Sequence, residues 1–198
     1  NLTVDEMGGQ VLVMNQLLRE ENKGERVTHI VVMGTGEPFD NYDNVMDFVR
    51  IMNHPKALAI GARHITISTC GIPDKIRQYG KEGLQTNLAI SLHSADNETR
   101  NKLMKINKVY NLEAWMPAIK EYEQSAGRRV TYEYLLLSGI NDSLEDAQKL
   151  IDLIRGTKGY VNLIPYNETK LCDYKRSSGN RVHAFLDYLI KGGVNATI

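Results

Sequence analysis

The chain has 198 residues, 42% hydrophobic and 24% charged, which is enough for one domain with a sizeable core and excludes a disordered or fibrous chain. Its 24 Lys and Arg balance 24 Asp and Glu, excluding a globally basic grip on nucleic acid and leaving only local patches. Two cysteines, Cys70 and Cys172, exclude a disulfide scaffold and any metal or iron–sulfur site built from this chain's thiols alone.

In chain order the pattern alternates between helix and strand. Thr3-Val-Asp-Glu6 is a capping-box pattern ahead of Met7, Val11, Met14 and Leu18, an apolar stripe at helical spacing. His29–Gly34 is a continuous apolar run ended by glycine, read as a strand buried on both faces. Val45, Phe48, Val49 and Met52 then carry a helix back across. Further strands are expected at 64–69, 87–93, 130–137, 160–166 and 194–198. The helices between them include one over 112–126, which Pro117 should kink, and others marked by Leu144–Ile154 and Val182–Leu189. Each strand-to-strand interval fits one right-handed crossover, so the sheet should be parallel. An eight-unit barrel typically takes about 250 residues. Six strands here imply an α/β fold that is a partial, open (β/α)6 barrel or a piece of a larger one, with a doubly wound open sheet as the competitor. Asn1 in place of an initiator methionine, and an end at Ile198 within an alternating apolar run, favour the piece.

The strand ends carry the polar residues. Gly34-Thr-Gly-Glu-Pro38, Ser68-Thr-Cys-Gly71, Ser91-Leu-His-Ser94, Ser138-Gly-Ile-Asn-Asp142 and Tyr166-Asn-Glu-Thr169 each follow a strand. Ligands of parallel α/β folds bind at carboxyl ends, so a polyhydroxylated or amino-acid-like ligand is one reading; ordinary solvated loops are the other. Gly34-x-Gly36 begins like a dinucleotide fingerprint, but Phe39 stands where the third glycine belongs. Glu37 offers an acceptor for an ammonium or hydroxyl, or is a solvated turn residue. His93 is open between ligand, base and satisfied imidazole, and Cys70 between packing residue and nucleophile. Lys102, Lys105 and Lys108, and Lys170, Lys175 and Arg176 with Tyr166 and Tyr174 interleaved, fit either RNA contact or a solvated surface.

Seven phrases decide what the spacing leaves open. Met33-Gly-Thr-Gly-Glu-Pro-Phe-Asp-Asn-Tyr-Asp-Asn-Val45, Gly61–Thr69, Leu88-Ala-Ile-Ser-Leu-His-Ser94, Lys102-Leu-Met-Lys-Ile-Asn107, Gly127–Tyr134, Gly139-Ile-Asn-Asp-Ser143 and Val161-Asn-Leu-Ile-Pro-Tyr-Asn167 occur in this order. From end to end they resemble the radical S-adenosylmethionine dual-specificity 23S rRNA/tRNA adenine-C2 methyltransferase family. The resemblance implies one radical S-adenosylmethionine core domain over 1–198, using S-adenosyl-L-methionine and a [4Fe-4S] cluster to methylate C2 of adenine in 23S rRNA and tRNA. It also implies an electron donor for the cluster and a cytoplasmic setting without membrane attachment. By position, the resemblance makes Gly36, Glu37, Ser68, Ser91, Leu92, His93 and Asn167 cofactor-binding, with Glu37 facing the methionyl ammonium and Leu92 acting through its backbone.

The departures concern what the family places outside this stretch. Its Cys-x3-Cys-x2-Cys cluster motif and its C-terminal methyl-carrying cysteine are absent, and neither Cys70 nor Cys172 matches them. No residue here is therefore assigned as a metal ligand or a catalytic group. The chain alone is expected neither to hold a cluster nor to methylate RNA, and exposed sheet edges are expected to promote self-association. The alternatives are the related adenine-C8 methyltransferase and a non-catalytic cofactor- or RNA-binding fragment.

Overall fold

A computed structural model describes residues 1–21 and 24–198. Six strands are hydrogen-bonded side by side in sequence order, β1 Ile30–Val32, β2 Ile65–Thr69, β3 Asn87–Ser91, β4 Val130–Leu136, β5 Tyr160–Pro165 and β6 Asn195–Thr197. The pairs β1–β2, β4–β5 and β5–β6 are parallel, with Ile30 beside Ile65, Glu133 beside Asn162 and Tyr160 beside Asn195. The end strands β1 and β6 are not neighbours. The sheet is therefore open, as a partial barrel requires. Every strand run expected from the sequence is occupied, with ends trimmed by one to three residues.

Residues 1–69 and 84–88 form one compact unit, and 70–83 with 89–198 form a second. In the first, α1 (Val4–Glu21) starts with the expected reciprocal cap. The Thr3 amide donates to the Glu6 carboxylate at 2.8 Å, and the Glu6 amide donates to Thr3 Oγ1 at 3.3 Å. The stripe of this helix differs from expectation. Met7 and Val11 are buried, but Met14 is 49% exposed and Asn15 is buried instead, its Oδ1 accepting the Val27 amide at 2.7 Å. The incoming 24–29 segment presents an unpaired donor there, and a polar side chain satisfies it where methionine could not. In α2 (Tyr42–Asn53), Val45, Phe48, Val49 and Met52 are all buried, as their spacing predicts. Strand β1 corrects the sequence reading. It covers three residues, and Val31 and Met33 are 54% and 67% exposed rather than enclosed on both faces. An end strand has a neighbour on one side only, which a hydrophobic run does not reveal.

The second unit is built around β4. Tyr132 and Tyr134 are fully buried on one face of this strand. They pack against Trp115 of α5 (Leu112–Ala126) and Phe185 of α7 (Gly179–Lys191), with ring centroids 6.5 and 5.4 Å apart. Alternate residues Thr131, Glu133 and Leu135 point to the other, half-exposed face. Helix α5 runs through Pro117, starts on an Asn111 cap and ends at Gly127, whose φ of 65° is the left-handed stop. α3 (Pro73–Gly80) lies along α5, with Tyr79 stacked on Tyr122 at 5.8 Å. α6 (Leu144–Ile154) opens on a reciprocal Ser143–Asp146 cap, and its apolar face packs with α7.

Candidate cofactor site

The expected site residues stand at or just past carboxyl ends of strands: Gly36 and Glu37 after β1, Ser68 one residue before the end of β2, Ser91 to His93 at the end of β3, and Asn167 after β5.

In the first unit the β1 loop needs its glycines. Gly34 and Gly36 have φ of 142° and 149°, conformations closed to other L-residues, and the Gly36 amide donates to the Gly34 carbonyl at 3.0 Å. The chain then turns into a short 3₁₀ helix, Pro38–Asn41, capped by Glu37, whose Oε1 accepts the Phe39 amide at 2.9 Å. Gly36 and Glu37 line a cleft of about 420 Å³ shared with Leu2, Glu6 and Met7 at the start of α1. Ser68 is buried at 8% exposure, and its hydroxyl makes no hydrogen bond among the described residues.

In the second unit the end of β3 is held from three directions. The Leu92 and His93 amides both donate to the Glu133 carbonyl, at 3.0 and 3.2 Å. His93 sits at φ 58°, a strained conformation for a non-glycine residue. Its Nδ1 accepts the Leu135 amide at 3.0 Å, and its carbonyl accepts Asn141 Nδ2 at 2.7 Å. Because a backbone N–H donates to Nδ1, the neutral ring carries its proton on Nε2. Burial, reinforced by the positive charge of Arg100, lowers the His93 pKa from 6.5 to about 4. This imidazole is a neutral donor at physiological pH, neither an imidazolium nor a poised base. Ser91 Oγ and the exposed Asn167 amide make no hydrogen bond among the described residues. Leu92 is fully buried, its amide is taken by Glu133 and its carbonyl accepts both Arg100 Nε at 3.0 Å and the Ser94 amide at 2.8 Å.

Sequence reasoning missed four residues around this segment. Arg100, in α4 (Asn97–Leu103), is fully buried yet faces carbonyls and an amide. It donates to Leu92 O, Ser91 O at 3.1 Å, Cys70 O at 2.8 Å and Asn107 Oδ1 at 2.6 Å, and lies 5.4 Å above the Trp115 ring. Burial lowers its pKa to about 10, so it remains a cation at pH 7. A lone arginine among the Lys102, Lys105 and Lys108 charges gives no sign of this in the sequence. Asn141 lay within a flagged strand-end phrase without a role. Glu133 and Asn162 are cross-strand partners on the half-exposed face, with Asn162 Nδ2 donating to the Glu133 carboxylate at 2.7 Å. Burial pushes the Glu133 pKa up; strict alternation along β4 was the available signal.

The loop beyond β5 is tied back by Asp142, which is buried and accepts Ser177 Oγ at 2.7 Å and the Gly139 amide at 2.9 Å. The Tyr166 hydroxyl lies 2.9 Å from Cys172 Sγ, and this contact lowers the thiol pKa. Neither Cys70 nor Cys172 is in a disulfide.

Residues 5–154 match the family described as the Radical SAM superfamily. The chain belongs to the radical SAM superfamily. Over its whole length it is 49% identical to a protein of Streptococcus suis and 51% identical to one of Enterococcus faecalis. Both are named probable dual-specificity RNA methyltransferase RlmN, and the match covers 54% and 56% of them. This radical SAM chain thus spans about half the length of the curated relatives it matches. A crystal structure of a radical SAM methyltransferase from Sphaerobacter thermophilus superposes with a TM-score of 0.95 at 40% identity, covering all of this chain and 57% of that one. A domain of pyruvate-formate lyase-activating enzyme from Bacteroides vulgatus shares the fold, with a TM-score of 0.65 at 16% identity over 87% of this chain and 99% of that domain.

Membership implies S-adenosylmethionine and a [4Fe-4S] cluster. Each unit by itself carries strand-end groups of the kind the former needs: in the first a carboxylate for an ammonium and glycine backbone for close approach, in the second a fixed imidazole N–H and a hydroxyl for polar acceptors. The two cysteines do not suit the latter, and among the described residues no cluster of three or more metal-ligating side chains occurs. Its ligands would therefore have to come from outside this stretch.

Proposed function

We propose that this chain is the S-adenosylmethionine-binding core of an enzyme that methylates C2 of adenine in 23S rRNA and tRNA, in the cytoplasm, with an electron donor serving the cluster. The observation that supports it best is near-50% identity along the whole chain to proteins named as dual-specificity RNA methyltransferases. When bound, the cofactors supply the radical and the methyl group; the residues of this chain bind and orient. Glu37 accepts the methionyl ammonium, and Gly36 lets backbone approach it. Ser68, Ser91 and Asn167 offer hydroxyl and amide groups to the adenosyl and amino-acid polar atoms, and His93 donates Nε2–H. Leu92 serves by filling the core behind them.

Expression of the complete reading frame with cluster reconstitution, followed by nucleoside mass spectrometry of 23S rRNA and tRNA, tests this. Appearance of 2-methyladenosine is expected. Formation of 8-methyladenosine, or of no methylated adenine, refutes the reading.

A further inference from the structure

All three carbonyls of the Ser91-Leu92-His93 segment are taken by side chains from outside it. Arg100 holds those of Ser91 and Leu92, and Asn141 holds that of His93. Asn141 is fully buried and fully used: its second Nδ2 bond goes to Leu135 O at 2.7 Å, its Oδ1 accepts the Leu137 amide at 2.8 Å, and its own carbonyl accepts the Tyr134 hydroxyl at 2.9 Å. One amide side chain thus spans the end of β4 and the tip of β3. Arg100 does the equivalent from α4, fastening the β3 end to Cys70 and Asn107.

Such an arrangement is costly. A guanidinium is buried against carbonyls, an amide oxygen and an aromatic face, with no carboxylate bonded to it among the described residues, and His93 is kept at positive φ. Neither is needed to end a strand. Both fix one result, an imidazole with Nδ1 occupied and Nε2–H without a partner among the described residues.

We propose that Asn141 and Arg100 are the positioning residues of this segment, together clamping its backbone so that His93 presents Nε2–H as a fixed neutral donor to an acceptor on an adenosyl ligand. The ligand clause rests on the function proposed above; the clamp does not. Arg100 of α4 is the charge that acts on His93; the neighbouring carboxylates are engaged elsewhere, Glu133 of β4 by Asn162 and Asp142 by Ser177, the Gly139 amide and Arg181 at 3.4 Å.

Isotope-labelled histidine NMR, amide exchange and calorimetric titration with S-adenosylmethionine test the proposal on the 198-residue chain. In the wild type the His93 ring should show the Nε2–H tautomer and no titration from about pH 8 to about pH 5.5. In Asn141→Ala the ring should titrate near the ordinary histidine value, the Leu135 amide should exchange at least about tenfold faster, and ligand affinity should fall about tenfold. Arg100→Lys, which keeps the charge and loses the fork, should weaken ligand binding without restoring an ordinary titration. Ser177→Ala loosens the same turn network without touching the segment, and should lower the melting temperature while leaving His93 and Leu135 unmoved. An Nδ1–H tautomer in the wild type overturns the proposal without any variant having to fold. So does an Asn141→Ala protein whose His93 and Leu135 behave as in the wild type. A wild type that binds no S-adenosylmethionine overturns the function reading and the ligand clause, while the tautomer and exchange results still decide the clamp.

Discussion

Replacing Arg100 by methionine isolates what a buried cation without a carboxylate contributes. Methionine approximates the side-chain volume, so the cavity term is small, but the donors vanish. Asn107 Oδ1, Cys70 O and Ser91 O lose this partner, whereas Leu92 O keeps the Ser94 amide at 2.8 Å. Each buried acceptor left unsatisfied costs about 1–3 kcal/mol. Opposing this, the variant no longer desolvates a guanidinium, a cost visible in the pKa that burial lowers to about 10, which corresponds to about 3 kcal/mol. Water reaching the half-buried carbonyls softens the loss, while the loosened Trp115 contact adds to it. The net expectation is a destabilisation of about 3 kcal/mol, three acceptors at about 2 kcal/mol each less the relieved desolvation. Arg100→Lys retains the charge but replaces the planar fork with one ammonium, and should cost about 2 kcal/mol. Urea unfolding monitored by Trp115 fluorescence, with midpoints compared at equal slope, measures both. A methionine variant within about 1 kcal/mol of wild type, or a lysine variant as damaged as the methionine one, refutes the view that these carbonyls depend on Arg100.

Three further outcomes are expected. His93 binds fewer protons folded than unfolded, so its stabilisation is present above the unfolded value of 6.5 and is lost as pH falls toward about 4, by up to about 3 kcal/mol; His93→Asn should flatten that part of the stability–pH curve, and an unchanged slope argues against a buried neutral ring. Gly159→Ala should destabilise by about 2–3 kcal/mol, because its Cβ would collide with the fully buried Tyr132 ring; Gly192→Ala meets the end of the Ile151 side chain, which can turn away, so thermal melts should rank it the milder, and the reverse order counts against the packing at β4. In calorimetric titration with S-adenosylmethionine, Glu37→Gln should weaken binding more than Ser68→Ala, since a bond to a charged group is worth about 1.5–3 kcal/mol against about 0.5–1.5 for a neutral one; equal affinity of wild type and Glu37→Gln removes Glu37 from the site.

Period and punctuation made the sheet legible. Val45, Phe48, Val49 and Met52 buried as spaced, and each strand stopped near the glycine or polar phrase that follows it. What stayed hidden depends on neighbours distant in sequence. Whether β1 is covered on both faces depends on its place in the strand order, and whether position 14 or 15 of α1 turns inward depends on an amide at Val27. For the candidate site, what the sequence showed was position: the polar and glycine-rich phrases stand at the carboxyl ends of strands, as expected. The residues that shape these ends were not legible: Arg100 reads as one more charge on a short helix, and the intramolecular partners of both Leu92 backbone groups come from residues the sequence does not single out.

Strict sequence order in the sheet bears on how the chain comes together during synthesis. Each strand finds its hydrogen-bonding neighbour in the strand made just before it, one crossover away. The loops to be closed are therefore short, and no strand must wait for a distant partner to emerge. A growing chain can add one β-α unit at a time to the last free edge, leaving a single unpaired strand at the advancing end at every stage. Delays in elongation should therefore be tolerated best between these units and least within β4, whose seven residues carry both buried tyrosines and the backbone groups that receive the β3 tip.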